Sequence, residues 1–203
     1  MLQLLGPDRI IPKNEIAKDY PNYDGDYAQY PIDTGRFRRV LTLAAEKAGW
    51  GKQKSGNGYG MGVAMHRSFL TYVATVVQVQ VNDAGQVQIK RVDTALDAGT
   101  VVNPEMARQQ FEGAAAMGTS LAFYGEITAT NGVIDQSNFD SYQMARMNVA
   151  PRETNVYIVP SEAPPAGIGE PGLPPFAPAL CNAIFAATGK RIRELPLSKA
   201  GLA

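Results

Sequence analysis

A carboxylate, Glu170, sits in the middle of "PSEAPPAGIGEPGLPPFAPAL" (160–180), where seven of 21 residues are proline and three are glycine. Gly169 precedes it and Pro171 follows, and a proline pushes the residue before it toward extended backbone. A carboxylate held so firmly can act as a general base, which must meet its proton at about 2.6–3.2 Å. The alternative is a loop glutamate that caps the helix expected downstream, whose N-terminal dipole favours negative charge. Gln110, beside Glu112 and Gly113, carries an amide that both donates and accepts, which suits the edge of a heterocyclic cofactor. A helix-surface glutamine is the plainer alternative. Asp93 and Asp97 share one strand face at i, i+4 and could bind a cation or form a polar strand end. "GYGMG" (58–62) loosely resembles a phosphate-cradling G-x-G-x-x-G but lacks the strand before it and the acid some 20 residues on. A flexible loop is the simpler reading there. Cys181 lies on an Ala-rich stretch and reads as core packing. His66 reads as an ordinary histidine.

Composition narrows the chemistry. The 203 residues hold 19 basic and 19 acidic side chains, a formal net charge of zero. That offers no basic surplus for nucleic acid or an anionic membrane surface. One cysteine excludes an internal disulfide and a CxxC zinc or iron–sulfur site. Any triad or dyad that needs histidine would have to use His66, the one histidine. No run approaches the ~18 apolar residues of a membrane span. No secretory leader is visible, since Gly6, Pro7 and Asp8 interrupt the first apolar patch, and on that ground alone the expected location is cytoplasmic.

The elements that must position these residues follow from periodicity and punctuation. Residues 1–34 are polar and turn-rich and read as an extended arm that packs on a partner or on its own chain. Residues 35–203 read as one domain. Phe37, Val40, Leu41, Ala44, Ala45 and Ala48 recur at helical spacing, which predicts a helix over 35–49. Residues 49–62 read as a glycine-rich loop. Residues 69–81 and 86–97 are rich in Val, Thr and Ile and flank "NDAG", which predicts a β-hairpin. Asn103 as cap and Pro104 at the first position start a helix over 103–123. Gly113 and Gly118 each cost about 1 kcal/mol inside a helix, so something should approach its backbone closely. "GEIT" with the "ATNG" turn predicts a short strand, "TNVYIV" (154–159) another, and 176–188 a helix closed by Gly189. The fold class is α+β, a mixed or antiparallel sheet with packed helices.

Taken together, two motifs are more specific than any single residue. "VDTALDAGTVVNPEMARQQFEGAAAMG" (92–118) resembles a molybdenum hydroxylase segment of the form D-x-G-x-x-x-N-P…Q-x-E-G, matched by Asp97, Gly99, Asn103, Pro104, Gln110, Glu112 and Gly113. "GIGEPGLPPFAPALCNAIFAATGKRIRELPL" (167–197) resembles that family's G-x-G-E-P signature and the Ala-rich helix after it. The resemblance covers roughly residues 36–198. It is nearest the isoquinoline 1-oxidoreductase β-subunit and aldehyde dehydrogenase large-subunit type, within the wider xanthine dehydrogenase/aldehyde oxidase group. It implies the C-terminal portion of a molybdopterin-binding domain.

The resemblance implies a function. Glu170 would be the catalytic base, while Gln110, Gly113 and Gly169 would bind cofactor. The cofactor would be molybdopterin, or its cytosine dinucleotide form, with no protein side chain ligating the metal. The reaction would oxidise an aldehyde or N-heterocycle with water as oxygen source. Electrons would leave through iron–sulfur clusters on a partner subunit, since this chain lacks their cysteines. Family catalytic subunits are several times longer, so the remainder of the large subunit, or a homo-oligomer, is an expected partner. Alone, the chain is expected to be inactive. Relatives are often exported as complexes, which implies a periplasmic location as the other possibility. A rival reading is a non-catalytic structural fragment that binds no cofactor alone. A small-ligand domain built on the 56–62 glycines is a third.

Overall fold

A computed structural model describes residues 1–17, 19–52 and 56–202. Its centre is a four-stranded sheet in the order β1-β2-β3-β6. The strands are β1 Tyr59–Ser68, β2 Thr71–Val81, β3 Val87–Asp97 and β6 Thr154–Ile158. The first three pair antiparallel, while β6 lies parallel to β3. Parallel pairing needs a long crossover, and the chain supplies it with helix α3, Pro104–Tyr124, and the segment after it. That segment carries a minimal hairpin, β4 Ala129–Thr130 and β5 Val133–Ile134, around Asn131-Gly132. The mixed sheet with packed helices is the expected fold class.

One sheet face takes helix α2, Thr34–Lys47, which buries Val40, Leu41 and Ala44 on Tyr72, Ala74, Val76 and Ala95. Asp33 caps it by accepting from the Gly35 amide at 2.7 Å. The opposite face takes α3 and helix α4, Phe176–Thr188. Phe176, Leu180 and Ile184 are wholly or almost wholly buried there. Each such side chain contributes about 1.5–3 kcal/mol relative to exposure. Asn103 caps α3 through the Met106 amide at 3.1 Å, and Gly189 closes α4 in the left-handed region, φ 74°.

The structure corrects the reading of residues 49–62 as a loop. The part up to Gly58 includes 53–55, which lie outside the described residues, but strand β1 begins at Tyr59. A Cβ at Gly60 would collide with the backbone of Ala183 and Ala187, and one at Gly62 with that of Ala179 and Ala183. The glycines of "GYGMG" therefore let α4 lie directly on β1, and the phosphate-loop alternative has no place. The short strand expected near "GEIT" falls at 129–130 instead. The first residues hold a short helix, α1 Leu2–Leu5, and two single turns of tight helix. Their chain returns onto the sheet: Arg67 donates to the Tyr20 hydroxyl, to Asn22 Oδ1 and to the Tyr30 carbonyl, each at 3.0 Å.

Candidate active site

Asp97 ends β3 and is wholly buried. Arg36 reaches it from α2 with Nε at 2.9 Å and Nη2 at 2.6 Å, and Arg39 adds a contact at 3.4 Å. Burial alone would raise the Asp97 carboxyl pKa, but the hydrogen bonds and charge of Arg36 outweigh it and hold the value below normal. The same carboxylate accepts from the Gly99 amide at 3.2 Å. Gly99 has φ 69°, and a Cβ there would strike the carbonyls of Ala163 and Pro164. A glycine is required where the chain turns this way against another backbone.

That contact joins the two sequence motifs in space. The Thr100 amide and hydroxyl donate to the Ala163 carbonyl at 2.8 and 3.2 Å. The Ala166 amide donates to the Ala98 carbonyl at 2.9 Å. The Tyr30 hydroxyl donates to the Pro165 carbonyl at 3.1 Å. The Gly167 amide donates to the Phe69 carbonyl at 2.9 Å, and the Thr71 hydroxyl donates to the Gly167 carbonyl at 2.6 Å. Beyond the glutamate, the Leu173 amide donates to the Glu170 carbonyl at 2.9 Å. Gly172 then fits against Phe111 of α3, where a Cβ would lie 2.8 Å from the ring.

Between these anchors, Gly169 and Glu170 are exposed. A Cβ on Gly169 would meet nothing within 4 Å. Among the described residues, none hydrogen-bonds or ion-pairs with the Glu170 carboxylate, and α4 has no side-chain cap. The helix-capping alternative is therefore not realised.

Gln110 and Gly113 lie on the open side of α3 with Met106, Met117 and Leu121. Gln110 adjoins Phe111, which packs on Gly172, so it sits on the helix that runs beside the glutamate loop. Gly113 faces open space, whereas a Cβ on Gly118 would lie 2.6 Å from the Phe176 ring. The close approach expected of both glycines is thus helix packing at Gly118 only.

The other candidates separate from this site. Asp93 is wholly buried and engaged by Arg91 at 2.7 and 2.8 Å, by the Tyr157 hydroxyl at 3.0 Å and by Asn155 at 3.3 Å. With Asp97 equally engaged, the pair is not a cation site. No group of three His, Cys, Asp or Glu among the described residues could hold a metal. Cys181 packs against the core between sheet and α4, and burial raises its thiol pKa. His66 is exposed on β1, and its partial burial lowers its pKa. Sequence reasoning passed over Arg36, Thr71 and Gly167. The D-x-G spacing at 97–99 was the one available hint, since it marked a turn that must touch something.

Residues 32–151 match the molybdopterin cofactor-binding domain. The chain belongs to that family. The matched span includes Gln110 and Gly113 and ends before Gly169 and Glu170. Among its relatives, a membrane-bound aldehyde dehydrogenase of Gluconacetobacter polyoxogenes, named for pyrroloquinoline quinone, is 36% identical over 166 residues, 79% of this chain and 21% of that protein. Isoquinoline 1-oxidoreductase subunit beta of Brevundimonas diminuta is 32% identical over 164 residues, again 79% of this chain and 21% of that one. The solved aldehyde oxidoreductase of Desulfovibrio gigas shares the fold, with a TM-score of 0.55 at 23% identity over 62% of this chain and 14% of that one. The resemblance to molybdenum hydroxylase large subunits is borne out. The chain spans about a fifth of the length of these curated relatives. No helix among the described residues is long and apolar enough to cross a membrane.

Proposed function

We propose that this chain forms one wall of a molybdopterin site in an oxidoreductase acting on aldehydes or electron-poor N-heterocycles, with Glu170 as general base. One observation carries the reading: an exposed, unengaged carboxylate lies on a loop whose flanks are held by backbone hydrogen bonds. A structural glutamate would spend its oxygens on a helix end or an arginine, as Asp93 and Asp97 do. A base must keep an oxygen free for its proton and still be fixed in place.

The surrounding residues fit the cofactor. Gln110 offers a donor and an acceptor that no described residue uses. Gly113 and Gly169 face open space, so a ligand can reach the backbone at both points. When bound, the molybdenum cofactor supplies acceptance of two electrons. The net change, RCHO + H2O → RCOOH + 2 e− + 2 H+, leaves protons for the protein to handle. Glu170 would take one from the water-derived nucleophile as it adds to the substrate carbon. Gln110 would orient the pterin edge. The electrons would pass to an iron–sulfur partner subunit.

The test is Glu170→Gln in the molybdenum-loaded complex. Molybdenum content should hold while turnover falls by about 10²–10⁴-fold, the usual contribution of a positioned base. Near-normal turnover would remove Glu170 from the mechanism. A second reading, a non-catalytic fragment, draws support from the uncovered α3 face and would leave the purified chain free of molybdenum in every preparation.

A further inference from the structure

The β1–β2 connection is the two-residue turn Phe69-Leu70, with φ 48° and 70°. Both residues occupy the left-handed region that such turns normally give to Asn-Gly. A Cβ there crowds the neighbouring carbonyl, and bulky residues tolerate it only where the surroundings dictate the conformation. Here they do so from two sides. The N-terminal arm lays the Tyr23 ring 5.0 Å from the Phe69 ring, and Leu70 Cδ1 lies 3.1 Å from where a Gly25 Cβ would stand. The glutamate loop closes the other side. Phe69 Cβ lies 2.7 Å from where a Gly167 Cβ would stand, and the Phe69 carbonyl accepts the Gly167 amide.

Thr71 completes the hold. It is wholly buried, and its hydroxyl donates to the Gly167 carbonyl at 2.6 Å. Both polar groups of one glycine are therefore gripped by residues on either side of Leu70. This is the last backbone anchor before Glu170, three residues on; Ile168, between them, packs against Val73, Leu96, Ala98 and Phe111.

We infer that Thr71 is a positioning residue for Glu170, acting through Gly167, with the strained Phe69-Leu70 turn as its rigid mount. The inference rests on the reading of Glu170 as base. Its geometric part, that Thr71 sets the order of the loop, stands apart from that reading and can be measured separately.

Hydrogen exchange by mass spectrometry on the 203-residue chain tests it, comparing wild type, Thr71→Val and Thr71→Ser. Valine keeps the shape and removes the donor, and serine restores the donor. Exchange in the segment 165–173 should quicken about tenfold in Thr71→Val, the scale of one lost hydrogen bond. It should stay near wild type in Thr71→Ser, with β2 and α3 unchanged in both. Should Thr71→Val fail to fold, Gly167→Ala drives a Cβ onto Phe69 and should quicken the same segment from the loop side. In the molybdenum-loaded complex, Thr71→Val should lower kcat about tenfold or more at constant KM, and Thr71→Ser should recover it. Unchanged loop exchange in Thr71→Val, or a Thr71→Ser variant as impaired as Thr71→Val, overturns the inference. If the exchange results hold but Glu170→Gln keeps full turnover, the loop anchor stands and the assignment of the base falls.

Discussion

Asp93 and Asp97 lie on one face of β3, both wholly buried, and each carboxylate is taken up by arginine. Glu170 is exposed, and its carboxylate engages no described residue. The difference decides which acid is free to move a proton. It also makes Asp97 the place to test the electrostatics. Its carboxyl pKa is depressed in the fold, so its contribution is present above the unfolded value of about 3.9. That contribution is lost as pH falls through the depressed folded value. Asp97→Asn leaves Arg36 buried without a counter-charge, and at pH 7 it should cost about 3–5 kcal/mol. The gap between wild type and variant, followed by denaturant titration, should be constant from pH 7 to about 4 and narrow below that. A gap that widens on acidification would contradict the assigned sign. The sequence made the shared face of the two aspartates legible. It hid their partners, because Arg36 lies 61 residues from Asp97 and only tertiary packing brings them together.

Helices α3 and α4 and the hairpin β2–β3 were readable because caps, turn residues and apolar periodicity agreed along each. Strand β1 was not, because its glycines lower strand propensity and read as loop. Yet the alternation of Tyr59, Met61, Val63 and Met65 with Gly60, Gly62 and Ala64 is a strand period, with small residues on the side that α4 covers. Along α3 the same residue type serves two ends. Gly118 makes room for Phe176, so Gly118→Ala should destabilise the fold by about 1–3 kcal/mol through overpacking. Gly113 meets nothing, so Gly113→Ala should stabilise by roughly 0.8–1 kcal/mol through helix propensity. If Gly113 lets cofactor reach the helix backbone, Gly113→Ala should at the same time lower molybdenum occupancy in the assembled complex. Denaturant midpoints and metal analysis of the two variants read both effects. A stabilised variant with full occupancy would leave Gly113 without a part in binding.

At the scale of the molecule, the sheet is covered by α2 on one face and by α3 and α4 on the other, yet the outer side of α3 is left open among the described residues. Met106, Gln110, Gly113, Met117 and Leu121 follow one another at helical spacing along that side. Cofactor sites are concave and bury most of their ligand. A single helix face with one glutamate loop beside it is a wall rather than an enclosure, and the match covers 21% of each of these two relatives. The chain expressed alone in a host that makes the cofactor should therefore purify with little molybdenum and no pterin fluorescence after oxidative release. Co-expression with polypeptides that supply the rest of a large subunit should bring molybdenum toward one per chain, and the open side of α3 should gain protection from hydrogen exchange in the same preparation. Stoichiometric molybdenum in the isolated chain would mean that this wall, or a second copy of it, encloses the cofactor unaided. Protection of α3 without molybdenum would mean that the face serves assembly, and Gln110 would then have no part in cofactor binding.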